Sequence, residues 1–363
     1  MPISLYEEEE DTRYSFLDDY CNGAHPSILE ALVKSNSSRQ KGYGSDNYCK
    51  LATQRIREHM GRGDVDVFYV PNGTSANVIS IAASLRAHEA VIAASSGHIV
   101  AREAGAIEAA GHKIIISGSR HGKITPEDVE QVLDSNWHFP HMAKPRMLYI
   151  SNATELGTTY SRAELVALKD VCERNRLLLL MDGARLGAAL AATGGKTESN
   201  DLTMGDLADL TDIFWIGGTK NGALLGEAVV VSNPAIAEDF RFYIKQRGCL
   251  LSKSRVIGAQ FAEFFREGLY LDAARRANEA AAALSGGVEA AGFPLWAGTE
   301  TNQVFAVLPT GLVEVLQRQF EFYVWEKLAG GEAAVVRLIT TWETDPAEVA
   351  EFVRVIVSWA KTA

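Results

Sequence analysis

Short apolar runs, separated by polar and glycine-rich segments, recur through the first 250 residues of the chain. Residues 177–181, 213–216 and 228–231 are unbroken apolar runs, which fit strands of a parallel sheet that is covered on both faces. The same pattern predicts further strands at 65–70, 90–94, 113–117 and 146–151. Helical segments lie between these runs, so the alternation predicts an α/β fold with a mostly parallel sheet.

Helix start signals support this alternation. Thr125 and Pro126 open a Thr-Pro-Glu-Asp segment, and Ser161 precedes a mixed polar and apolar stretch that ends at Arg174. Serine and threonine cap helix N-termini, and proline is favoured in the first turn. Both segments are therefore predicted to be helices, and further helices are predicted at 51–62, after residue 73 and at 99–110.

The pattern changes near residue 250. Long helices rich in alanine and glutamate are predicted over 254–292, followed by short strands at 304–308 and 335–340 and a terminal helix at 346–361. This order is typical of a smaller α+β unit. We therefore predict three parts: an N-terminal arm over 1–24, a large domain over 25–252 and a small C-terminal domain over 253–363.

Two of the buried runs are each followed by a charged residue. Asp182 follows the run at 177–181, and Lys220 follows the run at 213–216 within a glycine-rich GGTKNG segment. Ligands of open α/β sheets bind at the carboxyl ends of the strands, where both side chains are expected. A lysine that binds the aldehyde of pyridoxal phosphate, and an aspartate that keeps its pyridine nitrogen protonated, are what this cofactor needs.

A third segment predicts an anion site. The strand at 65–70 leads through Pro71, Asn72 and Gly73 into a helix that begins near Thr74 or Ser75. The free N–H groups and the dipole of a helix N-terminus attract anions, Gly73 allows a close approach, and the two hydroxyl groups are further donors. Together with the lysine and the aspartate, this segment predicts a cradle for the cofactor phosphate.

The chain resembles the threonine aldolases of the β-eliminating lyase group, which are fold-type I pyridoxal phosphate enzymes. The similar segments follow the family order and span nearly the whole chain: NGAHPSILEAL (22–32), YGSD (43–46), PNGTSAN (71–77), GHIVAREAGA (97–106), MDGARLGAA (181–189), GGTKNG (217–222) and VRLITTW (336–342). The resemblance implies a fold-type I architecture, with a mostly parallel sheet in the large domain and a smaller C-terminal α+β domain.

The resemblance also implies roles around the cofactor. It makes Lys220 the lysine that binds the cofactor and Asp182 the partner of the pyridine nitrogen. His98 is expected to stack on the cofactor ring, close to the substrate hydroxyl, and a neutral imidazole there can accept a proton. Gly73 and Thr74 are expected to hold the phosphate.

Substrate contacts are implied for a second group of residues. Arg185, beside the cofactor, and Arg337 are expected to hold the substrate carboxylate, for which a guanidinium is well shaped. Tyr43, in the YGSD segment, is expected to reach the site of a neighbouring subunit. Glu155 stands where many family members have a histidine; it either meets the substrate or caps a loop.

Other departures from the family pattern put substrate preference in doubt more than cofactor use. A common Ser-Asp-Asn segment is Asp18, Asp19 and Tyr20 in this chain, and the residue before Lys220 is threonine rather than serine. A segment that usually carries an arginine reads RGCLLSKSR at 247–255, so that Lys253, Arg255 or neither takes its place.

Composition excludes several classes of function. The 363 residues carry a net charge of −11, which is unsuited to binding nucleic acid phosphates. No apolar stretch has the roughly 18 residues needed to span a bilayer, and no group of residues has the spacing of a metal site. The four cysteines are scattered, which is typical of reduced thiols in a cytoplasmic protein: Cys21, Cys49, Cys172 and Cys249.

These observations predict an aldolase that uses pyridoxal phosphate to cleave β-hydroxy-α-amino acids, such as threonine, allo-threonine or phenylserine, to glycine and an aldehyde. A homodimer or homotetramer with its sites at the dimer interface is expected. Another fold-type I lyase or an aminotransferase remains the alternative, because the choice of bond at Cα depends on geometry. A catalytically silent protein of this fold would not need both Asp182 and Lys220.

Overall fold

The computed structural model describes residues 13–192 and 202–362. The acidic start of the predicted N-terminal arm, residues 1–12, lies outside this range. The described strands are β1 (Tyr14–Ser15), β2 (Asp66–Val70), β3 (Glu89–Ala94), β4 (Lys113–Ser117), β5 (Lys144–Ser151), β6 (Leu178–Asp182), β7 (Ile213–Gly217), β8 (Glu227–Val231), β9 (Gln303–Pro309), β10 (Phe320–Glu321), β11 (Tyr323–Lys327) and β12 (Ala333–Ile339).

Fifteen helices lie between and beside these strands in the described residues, and they alternate with the strands most regularly in the first two thirds of the chain. They are α1 (Pro26–Asn36), α2 (Asn47–Met60), α3 (Gly73–Ser84), α4 (His98–Ala101), α5 (Ala106–Ala109), α6 (Pro126–Ser135), α7 (Arg162–Arg174), α8 (Leu186–Leu190), α9 (Met204–Leu210), α10 (Pro234–Ala237), α11 (Phe240–Gln246), α12 (Arg255–Phe264), α13 (Leu269–Ala290), α14 (Thr310–Leu316) and α15 (Pro346–Ala360).

The predicted helix caps are confirmed. Thr125 accepts a hydrogen bond from the backbone of Asp128, whose side chain accepts one from Thr125 in return. Ser161 and Glu164 form the same reciprocal arrangement at the start of α7. Each pair satisfies two N–H groups that the first helical turn leaves unpaired. These helix starts are local features, which is why the sequence predicts them.

Seven strands form the central sheet in the order β2-β8-β7-β6-β5-β3-β4. Six of these strands run parallel, as predicted, and β8 runs antiparallel to both β7 and β2. The apolar run at 228–231 was expected to fit a parallel strand, and its direction is a correction. A strand covered on both faces has the same apolar composition in either direction, so composition does not reveal its orientation.

The helix predicted at 99–110 is also corrected, because two short helices, α4 and α5, replace it. Ala104 and Gly105 lie between them with φ angles of 51° and 73°. Two consecutive residues in the left-handed region end a right-handed helix. The interruption turns Glu103 into the interior, where it is 6% exposed.

The buried apolar residues of the described chain pack into three clusters. Two cover the faces of the central sheet, and the third joins β9, β12, the C-terminal half of α13 and α15. Phe16 belongs to the third cluster, and β1 pairs with β10, so the described end of the arm packs on the C-terminal unit. Helix α12 packs in the cluster of the large sheet, and α13 contributes residues both to that cluster and to the third one. None of the described helices combines the length and apolar character needed to cross a membrane.

Candidate active site

Lys220 lies in a single turn of 3-10 helix that directly follows the glycine pair at the end of β7. A Cβ atom added to Gly218 would lie 2.5 Å from the carbonyl oxygen of Gly226, so the loop can turn here only with glycine. Lys220 lines a cavity of about 200 Å³. Burial, followed by the charge of Arg185, lowers the pKa of the Lys220 amine, which raises its neutral, nucleophilic fraction.

Asp182 ends β6 and faces the same cavity. Its Oδ2 atom accepts hydrogen bonds from Tyr149 Oη at 2.6 Å and Asn77 Nδ2 at 2.9 Å, and its Oδ1 atom accepts one from the backbone N–H of Ala184 at 2.9 Å. An ionised carboxylate has about four acceptor positions. These three donors hold the carboxylate in place and leave capacity for one more donor from the cavity.

The predicted anion cradle lies at the N-terminus of α3. Asn72 caps this helix by accepting a hydrogen bond from the Ser75 backbone at 2.8 Å. The N–H groups of Gly73 and Thr74 precede the first hydrogen bond of the helix, so the backbone does not satisfy them. A Cβ atom at Gly73 would lie 2.8 Å from Trp215 Cη2. Gly73 and Thr74 line the Lys220 cavity, whereas the Ser75 hydroxyl faces Cys249 Sγ at 3.2 Å.

His98 begins α4 and lines the Lys220 cavity and a larger adjoining one. Its Nδ1 atom is 2.7 Å from Glu103 Oε1, and Asn77 Nδ2 donates to that same oxygen at 2.7 Å. His98, Glu103 and Asp182 thus bring one polar atom each within 4.8 Å of one another. The amide of Asn77 donates to both carboxylates, so the position between them is filled by a hydrogen-bond donor.

Glu155 also lies between the two cavities. Its Oε1 atom accepts hydrogen bonds from the backbone N–H of His98 at 2.9 Å and from Ser151 Oγ at 2.7 Å. Burial raises the pKa of the Glu155 carboxyl, which brings it towards the range of a general base at neutral pH. The structure therefore brings Glu155 next to His98.

Each of the two predicted carboxylate-binding arginines is paired with an aspartate of the N-terminal segment. Arg185 donates from Nε and Nη2 to Asp19 at 2.7 and 3.0 Å, and Arg337 donates from Nη2 to Asp18 at 2.9 Å. Burial raises the pKa of Asp19, but the charges of Arg185 and Lys220, together with the hydrogen bonds from Arg185 and Asn302, outweigh this effect and lower the pKa overall. Arg185 Nη1 and Arg337 Nε take no part in these pairs.

The larger cavity, of about 500 Å³, adjoins the Lys220 cavity where His98, Glu155 and Arg185 line both. Strand β11 forms one wall, where Arg337 lies over the rings of Tyr323 and Trp325 at 4.8 and 5.2 Å. Arg102 contacts the ring of Trp325 at 5.4 Å. Sequence reasoning missed this short strand, four of whose five residues are exposed.

Glu227 is a buried carboxylate that the sequence analysis did not predict as a site residue. It begins β8, is 4% exposed, and accepts hydrogen bonds from the backbone of Gly218 at 2.7 Å and from Thr219 Oγ1 at 2.9 Å. Burial raises its pKa to about 7. Thr219 stands in place of the usual serine before Lys220, and its hydroxyl group donates its hydrogen bond to Glu227 of the same chain.

Three predicted or undecided residues lie away from the Lys220 cavity of their own chain. Tyr43 lines a separate groove of about 610 Å³ beside α2. Arg255 donates to the backbone carbonyls of Ser35 and Ser38 near the end of α1, and Lys253 is exposed. Neither of these two cations lines the Lys220 cavity or the cavity that adjoins it within one chain.

Asn77 and Glu103 were missed as well, although both lie in segments that the sequence singled out. Asn77 ends PNGTSAN and follows the phosphate loop by one helical turn, and Glu103 lies five residues after His98 in GHIVAREAGA. A buried amide or carboxylate needs partners, but sequence alone does not show which polar residues a helix turns inward.

The residues around the cavity fit pyridoxal phosphate. An amine, a carboxylate and an open helix N-terminus face one space, and they match the aldehyde, the pyridine nitrogen and the phosphate in chemical character. A Cβ atom at Gly73 would close the cradle against Trp215. Lys220, Asp182, Gly73 and Thr74 are thus the residues that would hold the cofactor.

The family model of the β-eliminating lyases matches residues 17–310. The chain belongs to the β-eliminating lyase family. A low-specificity L-threonine aldolase of Pseudomonas sp. (strain NCIMB 10558) is 32% identical over 347 residues, which cover 94% of this chain and 96% of that protein. A solved threonine aldolase of Leishmania major has a TM-score of 0.92 and 39% identity, and the match covers 96% of this chain and 99% of that one.

A more distant structure shows how widely this lyase shares its fold. The histidinol-phosphate aminotransferase of Clostridium acetobutylicum has a TM-score of 0.70 at 12% identity, with 96% of this chain and 100% of that one covered. At this identity the likeness concerns the fold alone. The comparisons confirm the predicted family, the fold-type I architecture and a pyridoxal-phosphate-dependent lyase, and they favour the aldolase over the aminotransferase alternative.

Proposed function

We propose that this lyase cleaves β-hydroxy-α-amino acids of the threonine, allo-threonine and phenylserine type to glycine and an aldehyde. The observation that carries the proposal is the meeting of Lys220, Asp182, His98 and Arg185 around one cavity. The relatives that bear the name threonine aldolase match nearly the whole chain, which supports the same reaction for this one.

Bound pyridoxal phosphate supplies an electron sink for the electron pair that is released when a bond at Cα breaks. Lys220 provides the amine that anchors it, and the lowered pKa of this amine favours its neutral form. Asp182 would provide the negative charge for the pyridine nitrogen of the bound cofactor. Tyr149 and Asn77 hold that carboxylate in a fixed orientation.

The substrate carboxylate is held by the arginine pair. Arg185 keeps Nη1 for the substrate while Asp19 orients its other two nitrogens, and Arg337 lines the adjoining cavity. Two guanidinium groups that hold the carboxylate define the orientation of the substrate. Orientation decides which bond at Cα breaks, and an aldolase requires the Cα–Cβ bond to stand perpendicular to the ring.

The proton of the β-hydroxyl group is accepted by the pair His98 and Glu155. Both line the boundary between the two cavities, and the Glu155 carboxylate orients the His98 backbone. A neutral imidazole or a carboxylate with a raised pKa can accept a hydroxyl proton near neutral pH. The adjoining cavity would then receive the β-substituent that leaves as the aldehyde.

We further propose a cytoplasmic homodimer or homotetramer in which Tyr43 reaches the Lys220 cavity of a neighbouring subunit. The backbone carbonyl of Tyr43 accepts a hydrogen bond from Arg241 at 2.6 Å, Ser254 Oγ accepts one from the Gly44 backbone at 2.7 Å, and the Tyr43 side chain is 46% exposed. The loop is thus firmly held and presents its ring outward. The four cysteines are unpaired, which supports a reducing compartment.

Product analysis tests the reaction. The purified enzyme is incubated with both enantiomers of threonine, allo-threonine and phenylserine, and glycine, aldehyde, ammonia and keto acid are measured. Glycine and aldehyde in equal amounts are expected. Ammonia with a keto acid would instead support another lyase or an aminotransferase. Lys220→Ala is the control: it should lack turnover and the visible absorbance band that borohydride removes from the wild type.

A further inference from the structure

A chain of hydrogen bonds connects Asp182 with His98 through Asn77 and Glu103. Trp215 Nε1 donates to Asn77 Oδ1 at 3.0 Å. An indole N–H can only donate, so the amide oxygen of Asn77 faces Trp215 and its nitrogen faces the carboxylates. This nitrogen donates to Asp182 Oδ2 at 2.9 Å and to Glu103 Oε1 at 2.7 Å.

Glu103 is the member of this chain that contacts His98. The Glu103 side chain is fully buried, and its Oε1 atom lies 2.7 Å from His98 Nδ1. An ionised carboxylate only accepts hydrogen bonds, so the contact requires a hydrogen on Nδ1. In the neutral ring this leaves Nε2 as the nitrogen with a free lone pair.

The backbone after Glu103 is strained in a way that supports this contact. Ala104 has a φ angle of 51°, in the left-handed region that residues other than glycine rarely adopt. Such a conformation persists where the surrounding structure holds it, and it is often found at functional sites. Ala104 lies between α4 and α5, and its backbone conformation directs the Glu103 side chain inward, towards His98.

We propose that Glu103 is a positioning residue that holds His98 in the Nδ1–H tautomer and presents Nε2 to the substrate hydroxyl. Asn77 supports this arrangement, because its amide group donates hydrogen bonds to Glu103 and to Asp182 at the same time. The orientation of the imidazole is thereby tied to the carboxylate that faces the pyridine nitrogen. This inference rests on the proposed aldol cleavage, in which His98 accepts a proton, but the state of its ring can be measured separately.

Nitrogen NMR of the protein labelled with [15N]histidine tests the tautomer directly, and His98→Asn assigns the His98 signals. The wild type should show a protonated Nδ1 and an unprotonated Nε2 for the neutral ring. In Glu103→Ala, the anchor is lost and both tautomers should be populated. Glu108→Gln is the matched control, because Glu108 is an exposed carboxylate on α5 of the same segment and its loss should leave the His98 signals unchanged.

Kinetics then separate positioning from folding. Glu103→Gln keeps the shape and one acceptor oxygen, so it should fold and bind cofactor with the wild-type absorbance band. It removes the negative charge beside Nδ1, and kcat should fall about 10- to 100-fold, the scale of a disturbed general base, while KM stays within about twofold. Glu108→Gln should change neither constant.

The outcomes are distinct. A wild-type His98 that carries its hydrogen on Nε2, or a Glu103→Ala ring with unchanged signals, would overturn the proposal whatever the activity. Unchanged kcat in Glu103→Gln would overturn the catalytic part. If Glu103→Ala does not fold, the wild-type tautomer and Glu103→Gln still decide. Absence of aldolase activity in the wild type would contradict the proposed function, and the NMR result would still settle the role of Glu103 towards His98.

Discussion

Several of the described residues in and beside the Lys220 cavity are carboxylates, and their surroundings give them different properties. Asp182 accepts three hydrogen bonds, Asp19 is paired with a guanidinium, and Glu227 is buried with two donors and no arginine in hydrogen-bond contact. Paired carboxylates stay ionised, whereas burial without a paired cation favours the protonated form. Asp19 and Glu227 are therefore expected to differ in charge at neutral pH.

The raised pKa of Glu227 makes stability depend on pH. The folded protein holds this proton up to a pKa of about 7, whereas the ordinary value is 4.5. Between these values the unfolded chain has lost the proton that the folded chain keeps, so the free energy of unfolding falls as pH rises. The loss is complete above pH 7 and amounts to about 3 kcal/mol.

Urea unfolding of Glu227→Gln and the wild type, at pH 4 and pH 8 and fixed cofactor concentration, checks this prediction. The neutral glutamine cannot lose a proton, so the variant should gain stability relative to the wild type as pH rises. Glu289→Gln, an exposed carboxylate on α13, should show no such relative gain. Equal pH dependence of Glu227→Gln and the wild type would contradict the assignment.

A substitution of Glu155, another buried carboxylate, is expected to affect the rate of the chemical step. Glu155→Gln retains an oxygen that can accept from the His98 backbone and Ser151, and it removes the group whose pKa is raised. We expect kcat to fall by about tenfold or more, and the ratio of activity on phenylserine to that on threonine to change, because Glu155 borders the adjoining cavity.

Ser151→Ala is the control for Glu155. It removes a hydrogen bond to Glu155 but leaves its carboxyl group, so a role confined to holding the loop would make the two variants behave alike. Activity of Glu155→Gln that matches the wild type on both substrates would show that Glu155 is structural. A substrate preference that differs from that of other family members would then have to come from another wall of the adjoining cavity, such as β11.

At the scale of elements, the loop between β2 and α3 is the segment that we propose binds the cofactor phosphate. The Cβ atom of Gly73→Ala would meet Trp215 at 2.8 Å, and Trp215 cannot move without breaking its hydrogen bond to Asn77. The helix N-terminus should therefore shift, and the affinity for pyridoxal phosphate should fall by about tenfold or more, given that charge-assisted hydrogen bonds contribute roughly 1.5–3 kcal/mol each.

Titration of the cofactor-free protein with pyridoxal phosphate and with pyridoxal measures this effect. Pyridoxal lacks the phosphate, so its weaker binding should change little in Gly73→Ala. Gly286→Ala, where a Cβ atom meets nothing within 4 Å in the C-terminal part of α13, should bind both compounds as the wild type does. An equal loss for both compounds would place the effect of Gly73 away from the phosphate.

The elements themselves were largely predictable. The strands around Asp182 and Lys220 and the capped helices α6 and α7 follow from local patterns, and the structure has them within one to two residues of the predicted positions. The antiparallel direction of β8 and the break between α4 and α5 were not predicted. Strand direction depends on the path of the chain, and the break depends on two left-handed residues of which one, Ala104, carries no sequence signal.

At the scale of the whole molecule, the predictions concern the assembly of several subunits and the site that Tyr43 reaches in it. The groove that Tyr43 lines does not include Lys220, and we therefore proposed that Tyr43 meets a substrate in a neighbouring subunit. We expect light scattering to give at least twice the mass of one chain. We also expect Tyr43→Ala and Lys220→Ala to be inactive alone and to regain activity when mixed under conditions of subunit exchange.

The mixing experiment has a quantitative expectation. In a mixed dimer one site carries both substitutions and the other carries neither, so random exchange restores about a quarter of the sites in a symmetric dimer. A mixture no more active than its components, with exchange shown by mass, would mean that Tyr43 acts within its own chain or not at all. A monomeric mass with full activity would contradict the assembly itself.

By itself, the sequence determined the family and the fold class, and it predicted the cofactor lysine, the aspartate and the phosphate loop, because each of these three is encoded in one contiguous segment. The tertiary structure alone decided the partners. Asp19 pairs with Arg185 across 166 residues, Asp18 pairs with Arg337 across 319, and Asn77 joins Asp182 to Glu103. Buried polar groups must be satisfied, but only the path of the chain determines which distant donor or acceptor is within reach.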